Sequence, residues 1–150
     1  MKTLTALVLL VAFQMGAQSL TEKDLLGKWQ ISSMEVSGMV IDYDKKDIIL
    51  PEAMKSVMSA EDIENMKKDA FDKIESKGFY GLEFTTGSTV AFVDGEKRNE
   101  SAYTLSDKDG TQFMEGGPIP APAAITIADG RLKLMYETGT SMTMTFKKTK

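Results

Sequence analysis

Apolar and polar side chains begin to alternate with a strand's period of two at Lys28. Trp29, Ile31 and Ser33 fall on one face of this predicted strand, and Gln30, Met34 and Val36 on the other. Ser37-Gly38 interrupts the pattern and Met39-Val40-Ile41 resumes it, so Gly38 is either a bulge in one long bent strand or the turn of a tight hairpin. A continuous strand would deliver the next connection to the end away from Trp29. A hairpin would return it to the Trp29 end. From Leu50 to Lys77 the period lengthens to that of a helix. Pro51 suits a first helical position, and Met54, Val57 and Met58 share a face. Ser59 offers a cap with Asp62 three residues on, and Ile63, Met66, Ala70, Phe71 and Ile74 then recur until Gly78. Two helices are expected over residues 50–77, with a mixed charged face that solvent would satisfy.

Beyond Gly78 the chain is a run of short alternating segments: Phe79 to Thr85, with Tyr80, Leu82 and Phe84 on one face; Thr89 to Val93, with Val90 and Phe92 aligned; and a polar strand ending in Tyr103 and Leu105. Thr111 to Glu115, Ala123 to Ala128, Arg131 to Glu137 and a last strand through Met142, Met144 and Phe146 follow. Thr86-Gly87, Asp94-Gly95, Asp109-Gly110, Asp129-Gly130 and Thr138-Gly139 punctuate them, the mark of an up-and-down meander. With the Trp29 strand the count is about eight, enough to close a barrel and remove exposed edges. The expected fold is therefore mainly β, an antiparallel up-and-down barrel with a helical insertion after its first strand. Gly116 to Pro122 lacks the N–H groups and the order for a ladder and reads as an extended surface loop.

Upstream, Met1-Lys2, an apolar run from Leu4 to Phe13 and the small residues Gly16 to Ser19 have the anatomy of a secretory signal peptide, with cleavage near 17–19. The run is too short to span a bilayer, and no cysteine follows it for lipid attachment. Export to the periplasm or medium is expected, leaving residues 20–150 as one domain. The chain carries 18 Lys+Arg against 22 Asp+Glu, and removing the leader makes it more acidic by one charge. With no basic block, nucleic acid and an anionic membrane surface are poor partners. The chain has no Cys and no His, which removes disulfides, thiol nucleophiles and the commonest general base together. No enzyme and no cofactor is expected. A hydrolase built from carboxylates would need two acids converging in a pocket, a geometry that spacing does not supply. Met142-Thr143-Met144 has thioether spacing for copper(I), but nothing completes a site, so no metal is expected. Asp42 to Asp47 departs from a calcium loop in its acid spacing, its missing Gly and its two lysines.

Leu20 to Leu25 begins with Thr21 and Asp24 placed as a capping box and Leu20/Leu25 as a staple, so one helical turn should precede Gly27. Gly27-Lys28-Trp29 after such a turn, the export signal, the meander and the length together resemble the lipocalins and related calycins, and most of all the small exported lipocalin-like proteins of bacteria. The resemblance implies that Gly27 and Trp29 plug the closed end of the barrel, with Lys147 or Lys148 over the indole. It also implies that the inserted helices lid a ligand cavity. A Thr-Asp-Tyr turn that the family carries in its later strands is absent. The first functional expectation is a carrier of a small apolar or amphipathic molecule, with Tyr80, Phe84, Phe92, Tyr103, Phe113, Tyr136 and Met142 as the cavity wall. The second is a protein-interaction or inhibitor module of the cell envelope, its barrel filled by those same side chains and its protein partner unknown.

Overall fold

Trp29 organises the closed end of the barrel through a hydrogen bond made four residues back along the chain. In the computed structural model, which describes residues 19–119, 121–137 and 139–150, its indole N–H donates to the Leu25 carbonyl at 2.6 Å. The apolar run and small residues of the expected leader lie outside the described residues, apart from Ser19. Leu25 ends α1 (Glu22–Leu25), which Asp24 opens by accepting the Thr21 N–H at 2.7 Å. Glu22 then ropes this turn to the sheet by accepting the Gly87 N–H at 2.7 Å and the Ser88 hydroxyl. Lys148 completes the arrangement, its Nζ 5.1 Å from the centre of the indole ring, as expected of one of the two terminal lysines.

The strands are β1 (Gly27–Val36), β2 (Met39–Asp42), β3 (Asp47–Ile49), β4 (Tyr80–Thr85), β5 (Thr89–Asp94), β6 (Lys97–Lys108), β7 (Thr111–Gly116), β8 (Ala123–Ala128), β9 (Arg131–Glu137) and β10 (Ser141–Lys148). All pairings are antiparallel. β4 to β10 follow one another as a meander, and β1 joins β4 on one side and β10 on the other, closing eight strands. The expected mainly β barrel is present, and the expected bounds of β8 and β9 coincide with the observed ones.

β1 departs from simple alternation. Ile31 pairs with Phe146 and Ser33 with Thr145, so Ser32 is a bulge, and parity reverses at that point. Met34, expected opposite Trp29 and Ile31, packs on the main core with them, and Ser33 changes face. Ser32 is itself buried; its hydroxyl donates to the Thr145 carbonyl at 3.2 Å and accepts from Arg131 at 2.9 Å. A one-carbon polar side chain fits such a site where a larger apolar one would not.

Ser37 and Gly38 both have positive φ, 49° and 80°, which makes Gly38 the turn of a tight hairpin rather than a bulge. The hairpin does not return the chain to the Trp29 end. β2 stops at Asp42, opposite Ser33 midway along β1, and β3 carries the chain back to the mouth. β2 and β3 thus continue the sheet above β4, whose pairing with β1 ends at Gln30. β10 being joined to β1, β3 is the free end of the ten-stranded order. There the Ile48 N–H donates to the Asp47 carboxylate at 2.9 Å, and Lys67 pairs with that carboxylate at 3.0 Å.

α2 (Glu52–Lys55) and α3 (Ala60–Lys77) fill the expected helical insertion, with Pro51 one place earlier than expected, at the cap of α2. Ser59 accepts the Asp62 N–H, and Asp62 accepts the Ser59 N–H, each at 3.1 Å. α3 packs Phe71 against Ile48 and Leu50 in a satellite core that also gathers Ile41, Tyr43, Met54, Met58 and Met66. Register sets Ile41 beside Met34, so this core continues the inner face of the barrel, and Ile74 and Tyr43 also reach the main core. α3 therefore lies over the mouth. Among the described residues no helix is long and apolar enough to cross a membrane.

The Gly-Pro-rich connection also differs from expectation. Gly116 pairs with Tyr103, and the Gly117 N–H donates to the Ala102 carbonyl at 2.8 Å, so the ladder runs two residues further than its composition suggests. Positive φ at both glycines, 86° and 70°, then bends the chain inward, and Ile119 packs on the main core instead of lying on the surface.

Candidate functional site

The barrel interior is occupied by its own side chains. Trp29, Ile31, Phe84, Met114, Ile125, Leu132, Leu134 and Phe146 are at most 2% exposed and form one cluster. Of the seven expected wall residues, Phe84 and Tyr103 are buried edge to face at 5.3 Å, and the Tyr103 hydroxyl has no partner there. Tyr136 is also buried and donates its hydroxyl to the Met142 sulfur at 2.8 Å. Phe92 is half-buried, edge-on to Tyr80 at 5.1 Å. Phe113 falls on the outer face, because its neighbour Met114 takes the inward position opposite Leu105 and Ala123. Only Tyr80 of the seven lines a cleft.

Two clefts stand out among the described residues, both at the barrel's margins. The first, about 600 Å³, lies at the mouth between α3 and the sheet. Its floor is Ile41, Tyr43, Met66, Ala70, Ile74 and Tyr80; its rim is Asp62, Asn65, Asp69, Lys73 and Lys77. Helical spacing builds it: residues 66, 70 and 74 face the sheet, while 62, 65, 69 and 73 run along the adjoining flank. Lys77 is held by Asp94 at 2.6 Å and lies 5.8 Å from the centre of the Tyr80 ring. Burial, with Tyr80 adding to it, pushes the Tyr43 phenol up to about 12, and burial also raises Tyr80, with Asp94 contributing. Both are neutral hydrogen-bond donors at any ordinary pH.

The second cleft, about 920 Å³, opens the barrel wall near its closed end. β7 and β8 pair only at Phe113 with Ala124 and at Met114 with Ala123, and below those pairs the strands part. Trp29, Ile125 and Ile127 are reached through the gap, with Met135 on the outer face beside it and Lys23, Asp24, Asp107 and Lys148 around it. Leu20 bridges it by its backbone: its N–H donates to the Gln112 side-chain oxygen at 2.6 Å, and its carbonyl accepts from the Gln112 amide at 2.8 Å. The Gln112 amide treats Leu20 as a neighbouring strand would.

The sequence reading missed Tyr43, Asn65, Asp69, Lys73 and Lys77. A signal for Tyr43 was present, since an aromatic ring amid Asp42, Asp44, Lys45 and Lys46 has no reason to be there unless something covers it. The helix residues carried none, because a binding flank and a solvated flank have the same composition. Compared with known proteins, the chain matches no protein-family model, no curated protein and no solved structure.

Proposed function

We propose that this is an exported, non-enzymatic barrel protein of lipocalin-like architecture that binds a small amphipathic molecule in the groove between α3 and the mouth. One observation carries this reading: the core surface formed by Ile41, Tyr43, Ile74 and Tyr80 continues into a groove of about 600 Å³ that no side chain fills. That volume is in the range of small-molecule sites, and an apolar floor with a few polar groups is their usual composition. The filled interior argues for the mouth over the barrel axis as the place of binding. The absence of His and Cys from the sequence supports a binder over a catalyst.

The test is a titration of the isotope-labelled 20–150 chain with a panel of fatty acids and isoprenoid alcohols, followed by NMR. Shifts concentrated at Tyr43, Ile74 and Tyr80, and abolished by Ala70→Trp, are expected. Shifts elsewhere, or none with any member of the panel, would remove the proposal. Export is read separately, from the N-terminal sequence of the protein recovered outside the cytoplasm.

The interaction-module reading has its own support in the same filled barrel. Val57, 81% exposed in the link between the helices, and Ile49, 53% exposed on β3, are large apolar side chains on one end of the molecule. Substituting both with Ser and looking for loss of a co-purifying protein separates the two readings.

A further inference from the structure

Tyr43 and Tyr80 reach the groove from different elements, Tyr43 from the turn after β2 and Tyr80 from the first position of β4. Each ring is clamped edge-on, Tyr43 by Phe71 at 6.1 Å and Tyr80 by Phe92 at 5.1 Å. The hydroxyls are left as the unfixed ends, and among the described residues neither makes a hydrogen bond to a protein group; in Tyr80 it is the backbone N–H that meets the Gln30 side chain, at 3.5 Å. Each half-buried phenol offers one hydrogen bond that water fills in the open groove, and two of them beside one apolar floor create a place for an acceptor that displaces that water.

The charges of the rim narrow the class of acceptor. Lys77 is neutralised by Asp94. Asp62 is engaged by the Ser59 N–H and hydroxyl but keeps its charge, its carboxyl held below the usual range by those bonds. What faces the groove is therefore Asp62 and Asp69 against Lys73, an excess of one negative charge. A carboxylate or phosphate head would meet that excess, and an ammonium head, although drawn by the excess and able to donate to the phenol oxygens, would leave both phenol protons without an acceptor.

Resting on the mouth-groove reading, we infer that the ligand is an uncharged amphipath with a carbonyl or ether oxygen, which accepts from the Tyr43 and Tyr80 hydroxyls while its apolar body lies along Ile41, Met66, Ala70 and Ile74. The experiment compares four probes of one chain length, 2-decanone, decanoate, decylammonium and decane, by NMR shifts of the groove amides in the 20–150 chain. The ketone should bind at least about five-fold more tightly than either charged probe. Tyr43→Phe and Tyr80→Phe, which keep both rings and their edge contacts, should each weaken it by about five- to ten-fold, the equivalent of one net hydrogen bond, and leave decane unchanged. Equal binding of the ketone and decanoate, or of wild type and both Phe variants, would overturn the inference while leaving the groove as a site. Groove amides that respond to none of the four would overturn the inference and the site together.

Discussion

Phe146→Ala tests whether the barrel is filled. Phe146 is fully buried and sits in register between Ile31 of β1 and Leu132 of β9, both also buried, with Ser32 bulged beside it. Removing the ring leaves the ladder bonds intact and a void with walls that belong to three adjacent strands of a closed sheet. Such walls cannot collapse inward without breaking pairings, so the substitution should show the full cavity term, about 3–5 kcal/mol for Phe→Ala. For a domain of this length that corresponds to a fall in Tm of roughly 10–20 °C. Urea unfolding read by the single Trp29 supplies the measurement, with an unchanged slope required for the comparison. A loss below about 1 kcal/mol would mean that Phe146 already borders open space, and the ligand would then belong on the barrel axis.

Other outcomes follow from the same geometry. Gln112→Ala removes both bonds to the Leu20 backbone, so it should cost about 1–2 kcal/mol and speed amide exchange at Ile125 to Ile127; unchanged exchange would show that the strap does not guard the gap. All four tyrosines have raised phenol values, led by burial in each case. Their stabilisation is complete below the unfolded value of about 10 and is lost as pH rises through the folded values. Phenolate absorbance should therefore rise in step with loss of circular dichroism above pH 10, and a rise that precedes unfolding would contradict it. On the acid side, Asp24, Asp47 and Asp62 are held low by hydrogen bonds with Thr21, Lys67 and Ser59 respectively. Stability should be level down to about pH 4 and fall below it, which a series of urea midpoints will show.

Much of the fold is legible where one residue type serves one local purpose. Thr21 with Asp24, Ser59 with Asp62, and the Asp-Gly turns each specify a backbone conformation regardless of what packs on them. The chain is harder to read where two neighbours satisfy the same rule. Phe113 and Met114 are both apolar, and only the pairing of Gly116 with Tyr103 determines which of them faces inward. Ser32 and Ser33 are similarly interchangeable on paper, so a bulge between them leaves no mark in the hydrophobic pattern, yet it reverses the inward and outward assignments in the rest of β1. The mouth groove is out of reach for a different reason. It arises from α3 crossing a sheet extension, so its residues are neighbours in space and unremarkable along the chain.

The self-capped end of β3 bears on how copies of this protein meet in a concentrated solution. A closed barrel offers little place for strand-to-strand growth, and apart from the gap between β7 and β8 that Leu20 and Gln112 bridge, the three residues of β3 are the free end of the ten-stranded order. There the Asp47 carboxylate occupies the Ile48 N–H that an incoming strand would need, and with Lys67 paired to it sets a charged, solvated pair at the edge that any copy approaches. Resistance to strand addition at this edge thus rests on Asp47 and its Lys67 partner, and that part of the burden falls on the appended hairpin rather than on the barrel that it borders.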